Sequence, residues 1–290
     1  MSANILDGRK LAAQLKDELR EEVRQLQKQT GQVPRLVNIL VGDKHDSCAY
    51  ANSQKKLADK LGISCDLLRL PEKVSQADLI ESIKKLNDDD EVHGIMIHRP
   101  IPNHIDYGEA ANYLDANKDL EGINATNIGK MLLGETEMIP CTPASAMEHI
   151  KSTGINLAGK EAVIIGSSDI VGKPLGLLLL REMATVTVCN IATSKAGKLL
   201  DHIARAEILI VAVGKPLLVK GEWIKEGAIV IDVGINHTEK GMVGDVEFET
   251  AKEKASFITP VPGGVGPVTV VMLMRNGLQA FKHYLSSKKL

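Results

Sequence analysis

EAVIIGSSDIVGKPLGLLLLREM, residues 161–183, carries three signals in one run. A short Val/Ile-rich stretch ends at Gly166, polar residues follow, and Gly172 with Pro174 opens a leucine-rich segment. Short apolar runs that stop at a glycine or a polar residue read as parallel strands buried on both faces. Glycine at a strand end lets backbone approach a ligand closely, and the amides at the next helix N-terminus attract phosphate. The run therefore predicts a strand, a tight turn and a helix. ATVTVCN (184–190), AEILIVAVGKP (206–216) and GAIVIDVGIN (227–236) repeat the strand pattern, which predicts a doubly wound parallel sheet of Rossmann type in this half of the chain.

The turn alone decides little about a ligand. Its spacing is GxxxxxG rather than GxGxxG, and a strand-to-helix turn needs glycine for steric reasons in any case. The end of the next strand bears on the cofactor. Asn190 is able to hydrogen-bond a ribose hydroxyl but neither repels nor neutralises a 2′-phosphate, and Lys195 is the nearest cation. NAD and NADP both stay open.

Upstream, LAAQLKDELREEVRQL repeats apolar residues at three and four, predicting a helix from Ile5 to about Gln29 that TGQVP ends. RLVNILVG (35–42), ISCDLLRL (63–70) and VHGIMIHRP (92–100) read as strands, and SQADLIESIKKLN as a helix capped by Ser75. Pro143 opens a new helix and marks the crossing into the Val/Ile-rich half. The last segment, PVTVVMLMRNGLQAFKHYL, reads as a helix that must dock to bury Val271, Met274 and Leu278. The expected class is α/β, with two domains.

With 290 residues, 25% charged and a net charge of −2, the chain has length for two modest domains and no basic excess for a nucleic-acid backbone. PLGLLLL is far too short to cross a bilayer, and the N-terminal stretch lacks the pattern of a signal peptide, so a cytoplasmic protein without a membrane partner is expected. Cys48, Cys65, Cys141 and Cys189 show no CxxC spacing; reduced thiols are expected, and no metal site.

In CAYANSQKKLADKLGI (48–63), Tyr50 and Gln54 stand four apart and so share one helix face, while Lys55 and Lys56 turn away from it and read as solvated. YANSQ, VHGIMIHRP, KDLEGI, PCTP, GSSDIVGKP, VAVGKP, IDVGIN, MVGDVEF and ITPVPGGVGPVTV occur in the order and spacing of the bifunctional methylenetetrahydrofolate dehydrogenase/cyclohydrolases, which nearly the whole chain resembles. PVPGGVGP (260–267) together with the GxSxxVGxP turn is far more specific than either glycine cluster alone.

The resemblance implies a folate-site domain of residues 1–142 plus 271–290, an NAD(P)-binding Rossmann domain of 143–270, a cleft between them, and a homodimer. It also implies hydride transfer from a tetrahydrofolate one-carbon unit to NAD(P), then hydrolysis of the methenyl cation to 10-formyltetrahydrofolate. On matching positions it assigns substrate contacts to Tyr50, Gln54, Ile97, His98, Arg99, Glu121 and the loop Pro262, Gly263, Gly264, Val265, Gly266. Cofactor contacts fall on Gly166, Ser167, Ser168, Ile170, Gly172, Asn190, Ile191, Val213, Gly214 and Ile235, and catalysis on Tyr50, Gln54 and His98. Four positions depart from the family pattern: Gln54 stands for its catalytic lysine, His98 for a glutamine, Arg99 for a leucine and Glu121 for a folate-gripping aspartate.

Removing hydride from a carbon between two nitrogens moves no proton, so positioning and electrostatics suffice. Hydrolysis must take a proton from water, and an amide does not titrate. Gln54 is therefore expected to spare the dehydrogenase more than the cyclohydrolase. His98, with an ordinary pKa of about 6.5, is the candidate substitute base, and the competing reading of it is a hydrogen-bonded structural group. Arg99 has three candidate roles: pairing with Glu121, holding the substrate's glutamate tail, or facing water. The rival function is a non-catalytic relative that binds folate or nucleotide. A short-chain dehydrogenase with Tyr-x-x-x-Lys fails because the lysine is absent and the tyrosine precedes the glycine-rich turn.

Overall fold

The computed structural model describes residues 2–239 and 241–288, without the side chains of His45 and Asp46. The chain forms two compact units, one of residues 1–13 with 140–272 and the other of 14–139 with 273–290. In chain order the elements are β1 (Asn4–Ile5), α1 (Gly8–Thr30), β2 (Arg35–Val41), α2 (His45–Leu61), β3 (Ser64–Leu70), α3 (Gln76–Asp88), β4 (Gly94–Ile97), α4 (Tyr107–Asn112) and α5 (Ala125–Leu133). There follow α6 (Cys141–Ser152), β5 (Glu161–Ile165), α7 (Gly172–Arg181), β6 (Thr185–Cys189), α8 (Ile191–Lys195), α9 (Leu199–Arg205), β7 (Ile208–Val211) and β8 (Ile229–Asp232). The short hairpin β9 (Asn236–Thr238) and β10 (Gly241–Val243), then α10 (Phe248–Lys254), β11 (Phe257–Ile258) and α11 (Val265–Ser287) complete the chain.

In the first unit six strands run parallel in the order β1-β11-β8-β7-β5-β6. The Val/Ile runs predict this because all four residues of β7 and the inner residues of β5 are buried. Side chains of this size contribute about 1.5–3 kcal/mol each when fully enclosed. From β5 the chain steps to β6 on one side and then crosses to β7 on the other, so a switch point lies where β5 and β7 adjoin.

One expectation fails here. Ile5 is not in the opening helix: Asn4 and Ile5 pair in parallel with Phe257 and Ile258, and α1 starts at Gly8. This pairing puts residues 1–13 with the six-stranded sheet, not with the other unit as the sequence reading had it.

In the second unit β3-β2-β4 form a parallel sheet whose two faces separate by strand alternation. Val37, Ile39, Val41, Ile95 and Ile97 pack with Leu79 and Ile83 of α3 and Ala110 of α4. Asn38, Met96 and His98 alternate onto the opposite face. Ser75 caps α3 as expected, its Oγ accepting from the Asp78 amide at 3.1 Å. Met274 and Leu278 of α11 are buried in this unit, and Asn276 donates to the carbonyls of Leu120 and Ile139, both at 2.8 Å. Among the described residues no helix is long and apolar enough to cross a membrane.

Candidate active site

In the 14–139 unit the site grows from the end of β4. The His98 amide continues the ladder by donating to the Ile39 carbonyl at 2.9 Å, and its ring meets Tyr50 of α2 edge-on at 5.9 Å between centroids. Tyr50 is 41% exposed, whereas His98 is 1% exposed and neither ring nitrogen has a hydrogen-bond partner among the described residues. Burial disfavours the imidazolium and pushes His98 down to about 4. The ring is therefore neutral at physiological pH, and the ordinary histidine pKa assumed from sequence does not apply.

Gln54 lies on the sheet-facing side of α2, as its spacing from Tyr50 predicts, but it is wholly enclosed. Its Oε1 accepts from Asn38 Nδ2 at 2.9 Å, and its Nε2 donates to the Met96 sulfur at 3.6 Å. Both amide groups are thus occupied by a buried polar chain that the sequence reading did not include. Its signal was available: Asn38 interrupts an otherwise apolar strand, and a buried amide must find partners. Lys55 and Lys56 are exposed, as expected.

Arg99 follows with its guanidinium 4.7 Å over the Tyr107 ring and 3.8 Å from Glu121 Oε1, while Tyr107 donates its hydroxyl to Glu121 Oε2 at 2.6 Å. Pairing with Glu121 is thus one of the roles weighed for Arg99. Desolvation holds the Glu121 carboxyl above the usual carboxylate range, and the Tyr107 hydrogen bond and the Arg99 charge oppose that rise. Ile97 is different: its side chain belongs to the α3-facing core, so a substrate contact through that side chain is ruled out. The structure therefore gathers Tyr50 with His98 and Arg99 with Glu121, and encloses Gln54 and Ile97.

In the 140–272 unit the remaining positions line up along the C-terminal edge of the parallel sheet. Gly166 ends β5 at φ +119°, and a Cβ there would come within 2.2 Å of the Ala212 carbonyl oxygen. A Cβ on Gly172 would meet the Gly166 carbonyl oxygen at 1.9 Å. Both glycines are therefore required by backbone packing of the turn itself. Ser168 Oγ accepts from the Val171 amide at 3.2 Å at the start of α7, and Ser167, Ser168 and Ile170 leave the turn's outer surface partly or fully exposed.

Asn190 spends its Oδ1 on the amides of Ala192 and Thr193 as the cap of α8, at 2.9 and 3.3 Å, which leaves its Nδ2 for a ribose contact. Ile191 is exposed beside it. Val213 and Gly214 follow β7, and Ile235 follows β8. A cavity of about 230 Å³ is lined by Ile235, Pro262, Gly263, Gly264, Val265 and Gly266, together with Asp232 and Arg9, which the sequence reading missed. Its back wall is braced by Ser145 Oγ donating to the Val265 carbonyl at 2.8 Å and by the Gly8 amide donating to that of Gly263 at 2.8 Å. Exposed apolar surface at the ends of β7 and β8, beside glycine turns at a switch point, fits a flat nicotinamide and its phosphates.

Comparison with known proteins gives the same two-part picture. Residues 6–121 match the tetrahydrofolate dehydrogenase/cyclohydrolase catalytic domain, and residues 140–285 match the NAD(P)-binding domain of the same proteins. The chain belongs to the tetrahydrofolate dehydrogenase/cyclohydrolase family. Bifunctional protein FolD of Bacillus subtilis is 46% identical over 287 residues, which is 99% of this chain and 100% of that protein. Among solved structures, the FolD methylenetetrahydrofolate dehydrogenase/cyclohydrolase of Campylobacter jejuni superposes with a TM-score of 0.93 at 42% identity, covering 97% of this chain and 99% of the other. The Trypanosoma brucei enzyme, solved with NADP and an inhibitor, gives a TM-score of 0.91 at 38% identity and covers 98% and 99%. The four positions at which the resemblance leads one to expect other residues, Gln54, His98, Arg99 and Glu121, all lie in the 14–139 unit.

Proposed function

We infer that the chain oxidises 5,10-methylenetetrahydrofolate to the 5,10-methenyl cation with NAD or NADP as hydride acceptor, and hydrolyses that cation slowly. The observation that carries the reading is family membership over essentially the full length of chain and relative alike.

The hydride step needs a held substrate and a held acceptor, with no proton carrier. On the folate side, the exposed Tyr50 ring offers a stacking surface, and the Glu121 carboxyl, beside Arg99, offers an acceptor for N–H groups of a pterin. On the acceptor side, the glycine turn, Val213–Gly214 and Ile235 supply backbone and apolar contacts. When bound, the nicotinamide supplies the hydride-accepting carbon. Hydrolysis is disfavoured by what lies beneath Tyr50: an enclosed, non-titrating Gln54 amide and a His98 imidazole that is a weak base at about 4.

A homodimer in the cytoplasm fits this reading. β6 is an edge strand, and Leu180 of α7, Met183 in the turn before β6 and Val188 on β6 expose apolar surface. Four free thiols suit a reducing compartment. Sedimentation of the purified protein reports the dimer directly.

The test of the activity follows the methenyl chromophore with purified protein, methylenetetrahydrofolate and each nucleotide in turn. Methenyl is expected to accumulate with at least one nucleotide and to decay slowly. Absence of methenyl with both nucleotides overturns the reading.

A further inference from the structure

VAVGKP, IDVGIN and MVGDVEF mark the family, yet no single ligand contact accounts for the two aspartates among them. The structure shows what they hold. Asp245 is fully buried; its Oδ2 accepts from the amides of Val213 and Gly214 at 2.7 and 2.9 Å, and its Oδ1 from the Lys215 amide at 2.8 Å and Asn236 Nδ2 at 2.9 Å. Asp232, 3% exposed, accepts from the amides of Gly234, Asp245 and Val246 at 3.2, 3.0 and 2.9 Å. Its own amide donates to Thr259 Oγ1 at 2.7 Å, one residue before the Pro260–Pro267 wall of the cavity.

The packing leaves no slack. A Cβ on Gly234 would lie 2.3 Å from either carboxylate oxygen of Asp245, and one on Gly244 would lie 1.9 Å from Asp232 Oδ2. Carboxylates removed from water are costly unless their lone pairs are filled, and an apolar filler would close the same space at lower cost. Here the lone pairs are filled by the amides of the segments that bear Val213 and Ile235, which are 39% and 53% exposed at the ends of β7 and β8.

We propose that Asp245, itself anchored by Asp232, is a positioning residue for the dinucleotide: it presets the Val213–Lys215 loop and the Ile235–Asn236 segment so that cofactor binding does not have to order them. The inference rests on the NAD(P)-dependent reading above. Preorganisation of this kind acts on affinity, because loop ordering is otherwise subtracted from binding. The Asp232 carboxyl, pushed up to about 7 mainly by desolvation, adds that the anchor is a group held against its preference for water.

The test is Asp245→Asn, which leaves a single acceptor oxygen where two now serve four N–H donors. Dinucleotide Kd, read by the fluorescence of the reduced dinucleotide, and dinucleotide KM are expected to rise by about tenfold or more, while folate KM and kcat at saturating dinucleotide stay within about twofold. A folded variant with unchanged dinucleotide affinity, or one losing folate KM and kcat in equal proportion, overturns the proposal. Should the variant fail to fold, amide hydrogen exchange on the ligand-free native protein decides. Protection of Val213, Gly214 and Lys215 by at least about 100-fold over a free loop is expected, and free-loop rates overturn the proposal. A native protein that binds neither nucleotide removes the underlying reading as well, whereas native binding with an unaffected variant removes this inference alone.

Discussion

The two units build their candidate surfaces from opposite materials. In the six-stranded unit the candidate surface is made of backbone: glycines pressed against carbonyls, and loop amides gathered onto Asp232 and Asp245. In the three-stranded unit it is made of side chains at the end of β4, in the His98, Arg99, Tyr107 and Glu121 group. At Gly166 and Gly172 the backbone surface tolerates almost no change, since a Cβ at either would strike a carbonyl oxygen. A side-chain surface is re-equipped one residue at a time, and three of the four departures expected from the resemblance, His98, Arg99 and Glu121, fall there, with Gln54 enclosed beneath.

If that contrast holds, the largest effect belongs to the backbone surface. Gly172→Val forces a side chain into the 1.9 Å gap before the Gly166 carbonyl, and dinucleotide affinity is expected to fall by more than about 100-fold. Titration of the variant with each nucleotide checks this, and near-native affinity would break the contrast at its strongest point.

Next comes His98. The folded ring takes a proton only near pH 4, while an unfolded histidine takes one near 6.5, so the native protein binds fewer protons than the unfolded chain between those values. Stability therefore rises with pH across that window and is lost on acidification. His98→Gln is expected to remove a loss on the order of 2–3 kcal/mol, read from urea midpoints at pH 4.5 and 7. Equal pH slopes for both proteins would mean that the ring is not held neutral.

Gln54→Lys places an ammonium in a fully enclosed position, where desolvation lowers its pKa toward neutrality. Methenyl hydrolysis is expected to rise by about tenfold, with some loss of thermal stability from the broken Asn38 contact. A hydrolysis rate equal to the parent's would show that proton transfer is already supplied elsewhere.

Arg99→Leu is the smallest change. Removing the guanidinium takes away one influence that lowers the Glu121 carboxyl, so that group keeps its proton to higher pH. Because the pair is partly exposed, folate KM is expected to rise by no more than about fivefold at neutral pH, and by more below it. A pH-independent change in KM would assign Arg99 a contact of its own.

The fold was legible where signals are local and repeated. Val/Ile runs ending in glycine, the Ser75 cap and the apolar spacing of the last helix each predict an element that the structure contains. β1 escaped because two residues carry no periodicity and their partner strand lies near the other end of the sequence. At the site, helix spacing correctly put Tyr50 and Gln54 on one side of α2, but it has no means of telling rim from floor. That distinction depends on Asn38 and Met96, which arrive from two different strands. The carboxylate anchor was hidden for a related reason: an aspartate in IVIDVG reads as a strand end, and only the folded sheet brings it beside the aspartate of VGDV.

The pairing of Asn4 and Ile5 with Phe257 and Ile258 also governs the order of assembly on the ribosome. Asn4 and Ile5 must wait, unpaired, until Phe257 and Ile258 have been made, and residues 14–139 likewise await the segment after 272. Neither half completes itself during translation, so a truncated product would present raw sheet edges to the chaperones rather than one finished lobe.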